Sequence, residues 1–384
     1  MPVYITRSAH YLPFDAVGND EMESVLGMVA NKASRARALV LRSNGIKSRH
    51  YAIDRATGLA AMNNAQLTTR AIQNLGLTDK EGDRVDVLAA GTSTPDQLMP
   101  SHAVMVHGNL AWPRLEVVSC AGICLSGIAA LKHAWLSVAS GGAQRAVACA
   151  SELVSPMMRA RHFEAEVLHQ LQALEKRPEI AFEKDFLRWM LSDGAGALLL
   201  ENQPNPDSVS LRIDWISLSS AAHELPACMY AGADRNDHSG QSTDLQGWLS
   251  FSPEQQQARS VFAIKQDVKL LNANIVRATL TEPLAALVKK HNLKADDIDW
   301  FLPHFSSMYF SEPVFESLQS IGLPIPRERW FTNLTSKGNT GAAAPYIMLD
   351  ELFQSGRIQR GHKILMFIPE SGRFSSGFVY MEAC

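Results

Sequence analysis

At 384 residues, with 46% hydrophobic and 20% charged side chains, the chain is too long for one ordinary core and too apolar to be disordered. A formal charge of −3 and a pI near 6.5 exclude a global attraction to nucleic acid, so any charged partner must be met by a local patch. Five scattered cysteines, with no CxxC pair and no HExxH, read as free thiols in a reducing cytoplasm and give no metal centre.

The N-terminal text MPVYITRSAHYLPF has no basic region followed by an apolar one, and nothing in it reads as an export signal. No apolar run reaches the roughly 18 to 20 residues of a membrane span. The best stretch, Ile123 to Ala139, is broken by Ser126, Lys132 and His133. A basic cluster follows the N-terminus: Lys32, Arg35, Arg37, Arg42, Lys47 and Arg49. It is either a solvated face or a patch for an acidic or phosphorylated partner.

Two segments then repeat one pattern. AIQNLGLTDKEGDRVDVLAAGTST from Ala71 and ALVKKHNLKADDIDWFLPHFSS from Ala286 each pass from a helix end through a polar turn into an apolar strand that stops at small hydroxyl residues. RAVACASE (Arg145 to Glu152) and KILMFIPE (Lys363 to Glu370) read as buried strands, followed by GALLLE and GFVYME. Continuous apolar strands alternating with helices predict an α/β protein with covered sheets, built from two pseudo-equivalent halves. The halves are placed at 1–205 and 206–384, with a helical insert about 156–189 in the first. Polar text from Gly232 to Gln257 has no strong period and reads as a loop or mobile lid.

Three residue types at strand ends suggest chemistry. In EVVSCAGICLSG, Val117 and Val118 favour a strand and the text from Ser126 a buried helix, which puts Cys120 at the helix N-terminus. The positive end of a helix dipole would lower a thiol pKa from about 8.5, against the alternative of a packed core cysteine. Cys124, four residues on, reads as core. His304 in PHFSS follows a buried strand, and Asn339 in SKGNTGAAAP lies in a glycine-flanked loop. Each alone also fits a structural role.

Taken together, GTSTPDQLMPSHA, SCAGI, SDGAGALLLE, WFLPH and KGNTGAAAP stand in an order that resembles the β-ketoacyl-acyl-carrier-protein synthase III family of the thiolase superfamily. The resemblance implies a five-layered αβαβα thiolase-like fold in a homodimer. It implies acyl transfer from a CoA or acyl-carrier-protein thioester to Cys120, then decarboxylative condensation with a malonyl or β-ketoacyl thioester. His304 and Asn339 would donate to the enolate, and the backbone amides of Cys120 and Gly372 would form the oxyanion hole. It implies no metal or organic cofactor, and an acyl carrier protein as partner. RSNGIKSRH matches the family segment that contacts the carrier or its phosphopantetheine, with Arg42 the expected contact.

The text departs from the family at three places. HFSS, with Ser307, replaces H-Q-A-N; Ala38 stands about where a coenzyme-stacking tryptophan is common; and the insert follows Ser155. These favour a specialised homologue in lipid or polyketide biosynthesis. Glu152 and Glu370, ending paired strands, are candidate auxiliary bases for a further step such as ring closure, against a structural role. The alternatives are an acyltransferase that forms no carbon–carbon bond and a non-catalytic partner subunit.

Overall fold

The computed structural model describes residues 1–34, 37–77, 84–162, 187–235 and 245–384. Nine strands form one hydrogen-bonded sheet: β1 (Tyr4–Tyr11), β2 (Val87–Thr92), β3 (Glu116–Ala121), β4 (Arg145–Glu152), β5 (Gly194–Glu201), β6 (Leu211–Ser220), β7 (Trp300–Pro303), β8 (Lys363–Glu370) and β9 (Ser375–Ala383). Their spatial order is β7-β8-β9-β6-β1-β5-β4-β2-β3.

The order contains a repeat. In the first half β2 and β4 run parallel, with Val87 opposite Ala146, and β5 and then β1 continue antiparallel. In the second half β7 and β8 run parallel, with Trp300 opposite Ile364, and β9 and then β6 continue antiparallel. A short antiparallel contact of β1 with β6, Tyr4 opposite Arg212, joins the two sets. Only β3 has no counterpart, and it ends the sheet.

Helices cover these strands in the layered way the resemblance implied. On the first half, α1 (Asn64–Gln73) packs on β1, β4 and β5, and α2 (His102–Leu110) packs on β2 and β3. Asn63 caps α1 in a reciprocal capping box with Gln66, and Asp96 accepts from the amides of Asn64 and Ala65 at 2.7 and 3.0 Å. Between the halves lie α3 (Ser126–Ala139), on β2 and β4, and α4 (Ala344–Gln354), on β1 and β5, touching each other. Their position dictates their composition, since a helix in a central layer must be apolar nearly all round. Accordingly Ala344 to Asp350 of α4 is buried without a break. On the second half a π-helical turn, Arg277–Thr281, packs on β8 and β9.

The expected insert meets the described residues only at its ends. Ser155–Met158 is a 3-10 turn, Leu187 and Trp189 are buried, and 163–186 lie outside the described residues. The polar stretch read as a loop is more ordered than that, because its backbone groups find partners: Ala233–Arg235 pairs with Leu245–Gly247, and Pro253–Ala258 is a helix capped by Ser252. Residues 236–244 within it lie outside the described residues.

Candidate active site

The C-terminal ends of β2, β4, β7 and β8 open on one cavity, the usual place for a site in an α/β protein. Its polar lining comes from Ser93, Cys124, Glu152, His304, Ser306, Asn339 and Ser371. Its apolar wall comes from Val154, Leu187, Met190, Leu191, Met229, Ile264, Leu271 and Ile275. A second apolar recess, lined by Phe305, Phe310, Val314 and Phe367, shares His304 and Ser306 with it.

Cys120 is not at the helix N-terminus and does not line this cavity. Strand β3 runs through Ala121, paired residue by residue with β2, so that Cys120 lies opposite Gly91 and half-buried against the core between the halves. Burial pushes its thiol up, against the lowering expected of a helix terminus. The chain turns at Gly122 and α3 begins at Ser126, which places Cys124 at the entry to the helix and on the cavity. Cys124 is buried in the core, as read, and also borders the cavity. Its thiol is raised well above the ordinary value by burial, then by the negative charges of Glu370 and Glu152.

His304 immediately follows β7, and its amide donates to Phe367 O at 2.8 Å, continuing the β7–β8 pairing and fixing the backbone. The ring is buried, its Nε2 has no partner, and burial lowers its pKa to about 4, so it is a neutral imidazole with an unused nitrogen at the cavity. Asn339 is held by backbone bonds on both sides, donating to Met190 O and accepting from Ser192 N, each at 2.9 Å. Its Oδ1 accepts from Gly341 N at 2.9 Å, which orients the amide and leaves Nδ2 as the free donor.

Glu152 is buried at the end of β4 and accepts four hydrogen bonds: Ser93 N at 3.1 Å, Ser93 Oγ at 2.7 Å, Thr94 Oγ1 at 3.0 Å and Ala342 N at 3.1 Å. Burial still pushes its pKa up to about 7. Four donors fill the acceptor capacity of a carboxylate, so this group ties β4 to the loop that carries Asn339. Gly341 in that loop has φ +52° and a Cβ there would lie 2.7 Å from Glu152 Cγ, so only glycine permits the approach. Glu370 does not line the cavity; it sits behind the Cys124 turn, accepting from Ile123 N at 3.1 Å and Leu125 N at 3.0 Å.

Gly372 lies in the turn from β8 to β9 and packs on Ile123, where a Cβ would come within 2.9 Å of Cδ1. Ser307 is not at the cavity: it is buried, caps the Met308–Phe310 turn and accepts from Tyr309 N at 3.2 Å, while its neighbour Ser306 lines the site. Arg42 is exposed on a short helix, Arg37–Asn44. The basic cluster around it is divided. Arg49 is fully buried, bonded to Asn19 and the Trp189 carbonyl, with burial lowering its pKa to about 10; Arg37 pairs with Glu23 at 2.8 Å; Arg35 lies outside the described residues. Sequence reasoning missed Ser93 and Ser306, which line the cavity. Cys120 stands one residue before the end of its pairing with β2, directly ahead of the turn at Gly122.

Comparison with known proteins places this geometry. Residues 288–379 match the family described as 3-oxoacyl-[acyl-carrier-protein (ACP)] synthase III C terminal. Over 380 residues the chain is 25% identical to a β-ketoacyl-[acyl-carrier-protein] synthase III of Xanthomonas oryzae, covering 99% of this chain and 96% of that one. The chain is similar to β-ketoacyl-acyl-carrier-protein synthases III over nearly its whole length. A synthase III of Jannaschia is 26% identical over 93% of this chain and 91% of its own. Solved structures show the same thiolase-like fold: a tetronic acid condensing enzyme at TM-score 0.74 and 21% identity, each chain covered to 99%. OleA of Xanthomonas campestris with bound lauric acid and lauroyl-CoA superposes at TM-score 0.70 and 18% identity, covering 100% of this chain and 99% of that one. Among the described residues no helix is long and apolar enough to cross a membrane.

Proposed function

We propose that this synthase III homologue is a condensing acyltransferase whose nucleophile is Cys120, the cysteine of the SCAGI segment, and whose enolate donors are His304 and Asn339. The observation that carries the reading is the meeting of two unpartnered neutral donors on a single cavity with an apolar wall, bordered by the turn that follows Cys120. The Cys120 sulfur attacks a thioester carbonyl, and the donor's thiol leaves with the proton. A malonyl-type thioester then loses CO2, and the bonding pair passes into an enolate whose oxygen accepts from His304 Nε2 and Asn339 Nδ2. The enolate carbon attacks the acyl carbonyl and Cys120 departs. A neutral imidazole suits this step, since an imidazolium would hold back the carboxylate that must leave.

The apolar wall suits an acyl chain longer than acetyl, in keeping with the lauroyl-CoA bound by OleA. The donor is an acyl-CoA or acyl carrier protein thioester, and Arg42 and Lys47, both exposed, are the remaining contacts for an acidic carrier or its phosphate. A homodimer is supported by β3, an edge strand with Glu116, Ser119 and Ala121 exposed, and by Leu98 and Met99, 77% and 82% exposed. Free thiols at all five cysteines favour a cytoplasmic setting.

The test is release of labelled CO2 from a malonyl thioester by the acylated enzyme, with product identified by mass spectrometry. CO2 release with a β-ketoacyl product supports the reading. Acylation without CO2 release would make it a plain acyltransferase, and neither event would make it a non-catalytic partner subunit.

A further inference from the structure

One group on the apolar wall of the cavity is out of keeping with its neighbours. Gln266 is 4% exposed and lines the cavity, and its Oε1 meets no donor among the described residues. A buried carbonyl oxygen without a donor is a standing cost to the fold, which an apolar residue of similar size would avoid. The backbone around it is firmly held. Gln266 pairs with Met229 in a short antiparallel ladder, and Asp267 N donates to Cys228 O at 2.8 Å. On one side Lys265 Nζ donates to Asp234 at 2.9 Å; on the other, Asp267 caps the helix Val268–Val276 by accepting from Leu270 N at 2.9 Å. The amide is thus presented to the cavity by a fixed support.

Residues opposite each other in an antiparallel pair share a face, so the Gln266 and Met229 side chains stand side by side, and both line the cavity. Met229 Sδ in turn accepts from Ser371 Oγ, another lining group, at 3.3 Å. A thioether is a weak acceptor, so the Ser371 proton is available to a better one. An orphan acceptor and a hydroxyl therefore flank Met229 on a wall that Ile264 and Leu271 otherwise make apolar.

We propose that Gln266 and Ser371 form a subsite for a hydroxyl group on the acyl chain, so that a hydroxylated acyl thioester is preferred to the unsubstituted one. This rests on the reading of the cavity as the site that receives the acyl group of Cys120. The hydroxyl donates to Gln266 Oε1 and accepts from Ser371 Oγ, which satisfies all three groups. An unsubstituted chain leaves the amide oxygen buried against methylenes, and an unpaired polar group discriminates more strongly than a methylene more or less. The amide N–H of a pantetheine arm offers the same donor chemistry, but it is common to every CoA and carrier donor and would make Gln266 a contact for all of them alike.

The test is single-turnover acylation of Cys120 by lauroyl-CoA and by its 3-, 6-, 9- and 12-hydroxy counterparts, read by peptide mass spectrometry on wild type and Gln266→Leu. The wild type should favour at least one hydroxylated donor over lauroyl-CoA roughly tenfold or more, and in Gln266→Leu that ratio should fall to about one. Ser371→Ala should lower the same ratio in part. Each ratio is internal to one protein, so a general loss of folding cancels from it. A wild-type ratio at or below one for every hydroxylated donor would overturn the inference and leave the acyl reading intact. Equal slowing of all five donors by Gln266→Leu, with ratios unchanged, would assign the amide to the pantetheine arm and overturn the inference too. Absence of a Cys120 adduct with every donor would overturn the nucleophile reading, and this inference with it.

Discussion

Glu152 and Glu370 close equivalent strands of the two halves, and each fastens one piece of the site: Glu152 bonds Ala342 N beside the Asn339 loop, and Glu370 bonds the amides on either side of Cys124. The pseudo-twofold arrangement thus ends one strand of each half in a carboxylate, Glu152 on the cavity and Glu370 behind the turn that borders it, and the two copies have diverged in what they hold.

Glu152 is a positioning group, and Glu152→Ala leaves two amides and two hydroxyls with no acceptor in a buried place. Each orphaned donor costs about 1–3 kcal/mol, so loss of roughly 3 kcal/mol or more in urea unfolding is expected. A change below about 1 kcal/mol would show that water replaces the carboxylate at no cost and that the tie to Ala342 is unimportant.

Gly341→Ala should impair decarboxylation more than acylation. Its φ of +52° and the 2.7 Å approach to Glu152 Cγ force the loop carrying Asn339 to move, at a cost of about 1–3 kcal/mol. Single-turnover acylation near the wild-type rate, with CO2 release at least tenfold slower, is the expected split; equal loss in both steps would place the effect elsewhere.

His304 should titrate near its depressed value of about 4 rather than near 6.5. The sign follows from linkage: the unfolded state binds the proton more tightly, so the contribution of His304 to stability is present above about pH 6.5 and is lost as pH falls toward 4. Carbon-13 labelled histidine NMR from pH 4 to 7.5, assigned with His304→Gln, reads this directly. A midpoint above 6 would mean that the ring is solvated or ion-paired and is a cation at the working pH of decarboxylation.

The edge strand β3 should pair with a second copy of itself. Val118→Pro removes one ladder donor and stiffens that edge, so a shift from dimer to monomer in light scattering at micromolar protein is expected. A wild-type monomer would remove the dimer from the account.

Much of this was legible in the text because it rests on period and punctuation. The repeated strands, the histidine after WFLP and the asparagine inside GNTG are each fixed by local pattern, and each lies at a strand end or in a glycine-bearing loop as read. The local setting of the cysteines was less legible, because only pairing with β2 shows that the strand continues through Cys120 and that Cys124 falls at the cavity. Ser307 was misplaced for a similar reason: adjacent serines are equivalent in sequence, and the turn at Met308 decides which one faces the cavity. Arg49 could not be told from its surface neighbours, since its burial depends on Trp189, 140 positions away.

The central claim is that Cys120 carries the acyl group. Wild type, Cys120→Ala and Cys124→Ala should each be incubated with lauroyl-CoA, and the modified residue located by peptide mass spectrometry. The account predicts a lauroyl adduct on Cys120 in wild type and Cys124→Ala, and none in Cys120→Ala. An adduct on Cys124, or one that survives in Cys120→Ala, would contradict it.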